Sequence, residues 1–151
     1  MLMSFLCHIR DVKYEASNLK KVSIYFQSSL IRISISQRKR NSASHGWGTA
    51  GANGAQVVFT ADRQELNGDI VVDTISTLTM TLKGNSTFIG TINIVDNAQN
   101  GTAVSDNAVL TIEAGSTWNL TGDCTISSLT NNGTINFNGY TITLADGTVL
   151  S

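Results

Sequence analysis

The chain has 151 residues, 41% hydrophobic and 14% charged, with a formal net charge of −1. That length supports one domain with a core, the recurrence of β-branched residues excludes a disordered chain, and no run approaches the roughly 18 apolar residues of a membrane span. The charge is divided unevenly: residues 1–45 hold eight of the ten basic groups and only Asp11 and Glu15 as acids, whereas 46–151 carry Arg63 and Lys83 against nine acids, a balance of −7. An acidic body with two isolated cations excludes a nucleic-acid surface there, because such surfaces need clustered Lys and Arg.

The chain opens on MLMSFLCHI, apolar but short. Arg10 and Asp11 follow at once, and no small-residue cleavage site stands behind them, so the stretch does not read as a signal peptide. Residues 10–29 show no sustained period, while Leu30, Ile31, Ile33 and Ile35 alternate with Arg32 and Ser34 and predict one strand. Composition then changes abruptly across 40–54. Two readings stand for 1–45: a native cap or tail, or a basic, disordered segment that did not evolve with the body. The abruptness of the change favours the second. Gly46, Gly48 and Gly51 satisfy the dinucleotide fingerprint, but that motif works only where a helix follows. Here AQVVFT follows, a strand pattern, so a turn is the better reading and nucleotide binding is rejected.

From residue 55 onward the period becomes two. Strands are predicted at 56–60, 69–72, 77–82, 91–95, 108–113, 134–137 and 141–144. Gly, Asn and Asp between them supply the positive φ of tight corners. The segments also repeat. Leu66 through Ser76 aligns with Leu120 through Thr130, and Ser86-Thr87-Phe88 aligns with Ser116-Thr117-Trp118. Leu78-Thr79-Met80 aligns with Leu110-Thr111-Ile112, and Gly90-Thr91-Ile92-Asn93 recurs unchanged from Gly133 to Asn136. Short strands that repeat at unequal spacing point to a solenoid with corners of variable length. Stacked at ~4.8 Å, such strands align like side chains in ranks, with Leu78 over Leu110, Met80 over Ile112 and Phe88 over Trp118. The chain has no proline, as expected where each strand is paired on both sides. The fold expected for 46–151 is an all-β, right-handed parallel β-helix; the alternative is a β-sandwich.

Four stretches carry a family likeness: 47–54 (WGTAGANG), 68–76 (GDIVVDTIS), 116–123 (STWNLTGD) and 129–144 (LTNNGTINFNGYTITL). Together they resemble a carbohydrate-binding β-helix family of clostridial-type bacterial surface proteins. The last stretch is also similar to passenger repeats of bacterial adhesins. The likeness covers 47–151 and implies a secreted or cell-surface, non-catalytic protein associated with acidic polysaccharide and calcium. It transfers no individual ligand residue.

Among candidate site residues, Asp69 and Asp73 fall on one strand face if a strand runs through both, with solvated surface carboxylates as the plainer reading. Trp118 and Tyr140 are sugar-stacking platforms if exposed, although the match of Trp118 to Phe88 favours a core position. The oxygen-rich stretch with Asp96, Asn100 and Asp106 suits a hard cation, calcium above all. It is not an EF-hand, since Ala98 and Asn107 stand at ligand positions, and an ordinary Asn/Asp-rich turn explains it as well. His8 and His45 both lie outside the repeats, which removes histidine-based catalysis. Resemblance to β-helix lyases implies acidic groups holding calcium and a Lys or Arg base, for which the body offers only Arg63 and Lys83, in non-equivalent coils. Cys7 and Cys124 have no pairing motif and read as free thiols. Thr77, Thr79 and Thr81, like Thr141 and Thr143, place hydroxyls on one face, as in ice-binding solenoids; β-propensity accounts for them. The function expected is polysaccharide binding without catalysis. A structural stalk or adhesin segment is the alternative, and a lyase is a third option.

Overall fold

Three parallel sheets arise because each coil of the chain makes three short strands separated by glycine-, serine- or asparagine-bearing corners. The computed structural model describes the backbone of 13–17, 22–27 and 30–35, and whole residues over 56–96 and 104–151. Coil one comprises β4 (Gln56–Asp62), β5 (Glu65–Asn67) and β6 (Ile70–Asp73). Coil two comprises β7 (Thr77–Lys83), β8 (Thr87–Ile89) and β9 (Ile92–Val95). Coil three is β10 (Ala108–Ile112), β11 (Thr117–Asn119) and β12 (Cys124–Ile126), and coil four is β13 (Ser128–Asn131), β14 (Thr134–Asn136) and β15 (Ile142–Leu144). Like strands stack in parallel from coil to coil. The protein is a right-handed parallel β-helix of about four turns, with no helix among the described residues, and the sandwich alternative falls.

Strands outside the coils close the sheets. β1 (Lys13–Ser17) pairs antiparallel with β4 in the first sheet. β2 (Val22–Gln27) and β3 (Leu30–Ile35) form an antiparallel pair, and β3 runs parallel to β6 in the third sheet. At the other end β16 (Val149–Leu150) turns back antiparallel onto β15. The strand expected at 30–35 is therefore present, and β1 and β2 were not anticipated. The composition break at 40–54 lies outside the described residues.

The core is a set of side-chain ranks along the axis. Val57, Leu78 and Ala108 form one, Phe59, Met80 and Leu110 a second, and Ala61, Leu82 and Ile112 a third; all nine are buried. Two expected stacks are thus displaced by two residues: Leu78 meets Ala108, and Met80 meets Leu110. The turn from Lys83 to Ser86 and the turn from Glu113 to Ser116 have equal length. The pairing of Thr87 with Thr117 therefore carries the same 30-residue offset back through the preceding strands. A slip of two preserves which face points inward, which is why the triplet match misled the register without misplacing the core.

The Phe88–Trp118 stack holds as expected. The ring centroids lie 5.8 Å apart and the planes 22° from parallel, and Leu66 and Ile135 extend the rank. Trp118 is fully buried, and its Nε1 donates to the Gly90 carbonyl at 3.0 Å. The repeated Gly-Thr-Ile-Asn tetrapeptide occupies two different corners: Gly90 precedes β9 in the third sheet, whereas Gly133 precedes β14 in the second. Both glycines are obligatory for reasons of space. A Cβ on Gly90 would overlap the Gly68 carbonyl, and its φ of 151° disfavours an L side chain; one on Gly133 would lie within 2.4 Å of the Ser116 carbonyl.

Gly90→Ala is expected to lower stability by about 2–4 kcal/mol, combining overpacking with backbone strain. Trp118→Phe, which keeps the ring stack but leaves the Gly90 carbonyl without its donor, should cost about 1–3 kcal/mol. Denaturant titration of the two variants measures both. A loss below ~0.5 kcal/mol for Gly90→Ala would contradict the close coil-to-coil approach at that corner.

Candidate functional site

The outside of the solenoid offers three faces, and the polar side chains on them are engaged very differently. At the corner between the second and third sheets, Asp69 Oδ1 accepts from Thr91 N at 3.1 Å and Thr91 Oγ1 at 2.8 Å in the next coil. Asp123 Oδ1 repeats this with Thr141 N at 2.9 Å and Oγ1 at 3.0 Å. Between them, Asn93 Oδ1 accepts from Thr125 N at 3.0 Å and Oγ1 at 3.2 Å, and Thr125 Oγ1 accepts from Ile94 N at 3.0 Å. Backbone pairing of β9 with β12 is reduced there to one register pair, so the side chains take over the role of the ladder. On the second sheet Asn136 Nδ2 donates to Asn119 Oδ1 at 2.6 Å. These groups clamp coil to coil.

The first sheet is different. Its strand is the longest in every coil, and two outward ranks cross all four coils: Val58, Thr79, Val109 and Ser128, and beside them Thr60, Thr81, Thr111 and Thr130. Within a strand the two ranks are two residues apart, about 6.6 Å, and along the axis the step is ~4.8 Å. Val58 is 48% exposed, and Thr79, Ser128 and Thr130 are exposed as well. Among the described residues, no hydrogen bond to protein engages the hydroxyls of Thr79, Thr81, Thr111 or Thr130. The four-deep threonine rank takes Thr81 from the first TxT run but nothing from the second, because Thr143 belongs to the third sheet and Thr141 to the corner before it. Strand pairing, not local sequence, brings Thr60 and Thr130 into line.

At the rim of this face Asp62 gathers the two cations of the body. Its Oδ1 lies 3.4 Å from Arg63 Nη1 and its Oδ2 3.5 Å from Lys83 Nζ. Asp62 and Lys83 are register partners in adjacent coils, so residues that seem unrelated in sequence meet around one carboxylate. Arg63 holds a left-handed φ of 54°, an uncommon conformation for a side chain of this size.

The expected site residues separate. Asp69 is exposed in the corner clamp just described, whereas Asp73 is buried, its carbonyl accepting from Asn107 Nδ2 at 3.2 Å; the two carboxylates do not share an open face. Trp118 is a core residue and presents no platform, because its ring lies against Phe88 inside the coil. Tyr140 is 38% exposed in the corner before β15. Asp96 and Asp106 are exposed at the two ends of the long corner between β9 and β10. Asn100 lies outside the described residues, as do Cys7, both histidines and the Gly46–Gly51 turn. Among the described residues no group of three or more His, Cys, Asp or Glu is placed to hold a metal ion. That corner is anchored at its end by buried Asn107, whose Nδ2 also donates to the Ser76 carbonyl at 2.8 Å. Sequence reading found one coil of the first-sheet face, in the run Thr77, Thr79 and Thr81, but assigned it to β-propensity; the V-x-T pattern in β4 and β10 was the further local signal of its extent.

Cys124 is buried beneath the third sheet. Burial pushes its thiol up to about 11, opposed by a hydrogen bond from Ile92 and reinforced by Asp123 and Asp69. Comparison with known proteins finds no matching family model, no similar curated protein and no similar solved structure. No helix among the described residues is long and apolar enough to cross a membrane.

Two outcomes test this description. Asp69→Ala should destabilise the protein by about 1 kcal/mol while Asp69→Asn, which keeps the Oδ1 acceptor, should not; equal losses in both would contradict the clamp. The folded state keeps the Cys124 thiol protonated above the pKa of 9.0 it has when unfolded, so native protein binds more protons between pH 9 and about 11. Stability should therefore fall across that window and level off above it, and the fall should be smaller in Cys124→Ala. Paired denaturation curves of the two proteins over that range give the comparison.

Proposed function

We propose that the chain is a non-catalytic polysaccharide-binding β-helix, secreted or displayed at a cell surface, with the glycan lying on the outward face of the first sheet. The observation that carries this reading is the grid of outward hydroxyls and methyls over four coils, in which the hydroxyls of Thr79, Thr81, Thr111 and Thr130 make no hydrogen bond to another described residue. A threonine hydroxyl both donates and accepts, as sugar hydroxyls do, and its methyl offers contact to the C–H face of a sugar ring. A repeating scaffold suits a repeating polymer. The family likeness of 47–151 supports the same reading, and the position of both body cations against Asp62 supports a role without catalysis. Calcium assistance belongs to the corner bearing Asp96 and Asp106, whose oxygen-rich composition suits a hard cation.

The test is retention of the full chain on a panel of polysaccharides. Wild-type protein should be retained, and the Thr81→Phe, Thr111→Phe double variant, which keeps good β-formers on the strands, should lose roughly tenfold or more in affinity, about 1.4 kcal/mol. Calcium titrated into the full chain should release heat and raise the melting temperature, both diminished in Asp96→Ala, Asp106→Ala; absence of heat removes calcium from the account.

A second reading, a structural stalk or adhesin segment, is favoured by the Asp69–Thr91, Asn93–Thr125 and Asp123–Thr141 clamps, which commit polar side chains to stacking. Retention on no polymer of the panel, with the clamps still stabilising, would transfer the role to it.

A further inference from the structure

The charge distribution around the first-sheet face restricts what polymer can lie on it. None of the eight residues in its two central ranks is charged. The charged residues stand at the rim, in the rank of Asp62 and Lys83. Glu113 continues that rank, since its N–H bonds the Leu82 carbonyl just before Lys83. Signs therefore alternate along the rim, and the two cations that a polyanion would need are already placed against Asp62. The whole chain carries a net charge of only −1, so no long-range field draws an acidic polymer onto this face. An uncharged chain needs none. It also matches the chemistry present, hydroxyls that donate and accept beside the exposed methyls of Val58 and the half-buried Val109.

Building on the polysaccharide reading, we infer that the first-sheet face selects an uncharged glycan, in contrast to the acidic polymer that the family likeness implies. Cation-mediated recognition is replaced by hydroxyl and methyl contacts, and binding is correspondingly insensitive to salt.

The experiment compares the full chain on cellulose and unsubstituted xylan, which are uncharged, and on polygalacturonate, a polyanion. Each is run at low salt and at about 1 M salt, where the screening length falls to about 3 Å. Wild type, Thr111→Glu and Thr111→Lys are compared. The expected result is retention on an uncharged polymer that salt changes by less than about twofold and that both variants weaken. Retention on polygalacturonate that salt abolishes, that Thr111→Lys strengthens and that Thr111→Glu weakens would overturn the inference while leaving polysaccharide binding in place. Polygalacturonate retention that neither variant alters arises away from this face, and the uncharged polymers then decide. Retention on none of the three overturns the inference together with the reading beneath it.

Discussion

Parallel backbone hydrogen bonding between successive coils is the constraint from which the rest of this structure follows. A three- to seven-residue strand buries too little to persist alone, but a ladder on each side fixes its height and its register at once. Once Thr87 is paired with Thr117, Phe88 must lie on Trp118, and Leu82 on Ile112. The same pairing, seen from outside, aligns Thr81 with Thr111. Core and candidate binding face are two sides of one register, so a change in one moves the other.

Where the ladder weakens, side chains replace it. Coil two to coil three is the long step, and it passes through the corner that ends at Asn107. There the third sheet retains a single backbone pair, and Asn93 with Thr125 supplies the missing bonds. Ser86 and Ser116, both fully buried, act similarly at the first corner, where Ser86 N donates to Ser116 Oγ at 3.2 Å and Gln64 N to Ser86 Oγ at 3.0 Å. This division explains the outer surface. Corners need Asp, Asn and Ser as structural acceptors, while the long strands of the first sheet satisfy themselves through the backbone and leave their threonines facing outward.

The sequence disclosed the fold class and the inward face of most strands, because alternation of apolar residues survives any even slip. It disclosed the Phe88–Trp118 stack through the Ser-Thr-aromatic repeat. It did not disclose β5, β8, β11, β12 and β13, whose three or four residues show no period of their own. It also concealed that identical Gly-Thr-Ile-Asn segments sit at different corners, since four residues cannot specify which corner they fill. The clamp made by Asp69 was not legible either, because an exposed carboxylate and an inter-coil acceptor have the same local signature. The meeting of Arg63 and Lys83 at Asp62 required the coil offset, which no local pattern states.

The register between coils two and three is the claim most open to direct trial. In a background with Cys7 and Cys124 replaced, cysteines at positions 81 and 111 stand as register partners on adjacent strands, within the reach of a disulfide. Cysteines at 79 and 111, the pairing implied by aligning the Leu-Thr-Met and Leu-Thr-Ile triplets, lie on a diagonal and should cross-link poorly. Mass spectrometry after mild oxidation reads both. Efficient bridging of Thr81→Cys with Thr111→Cys, and not of Thr79→Cys with Thr111→Cys, is the result expected. The reverse preference would displace every rank between these coils and with it the face assigned to the glycan.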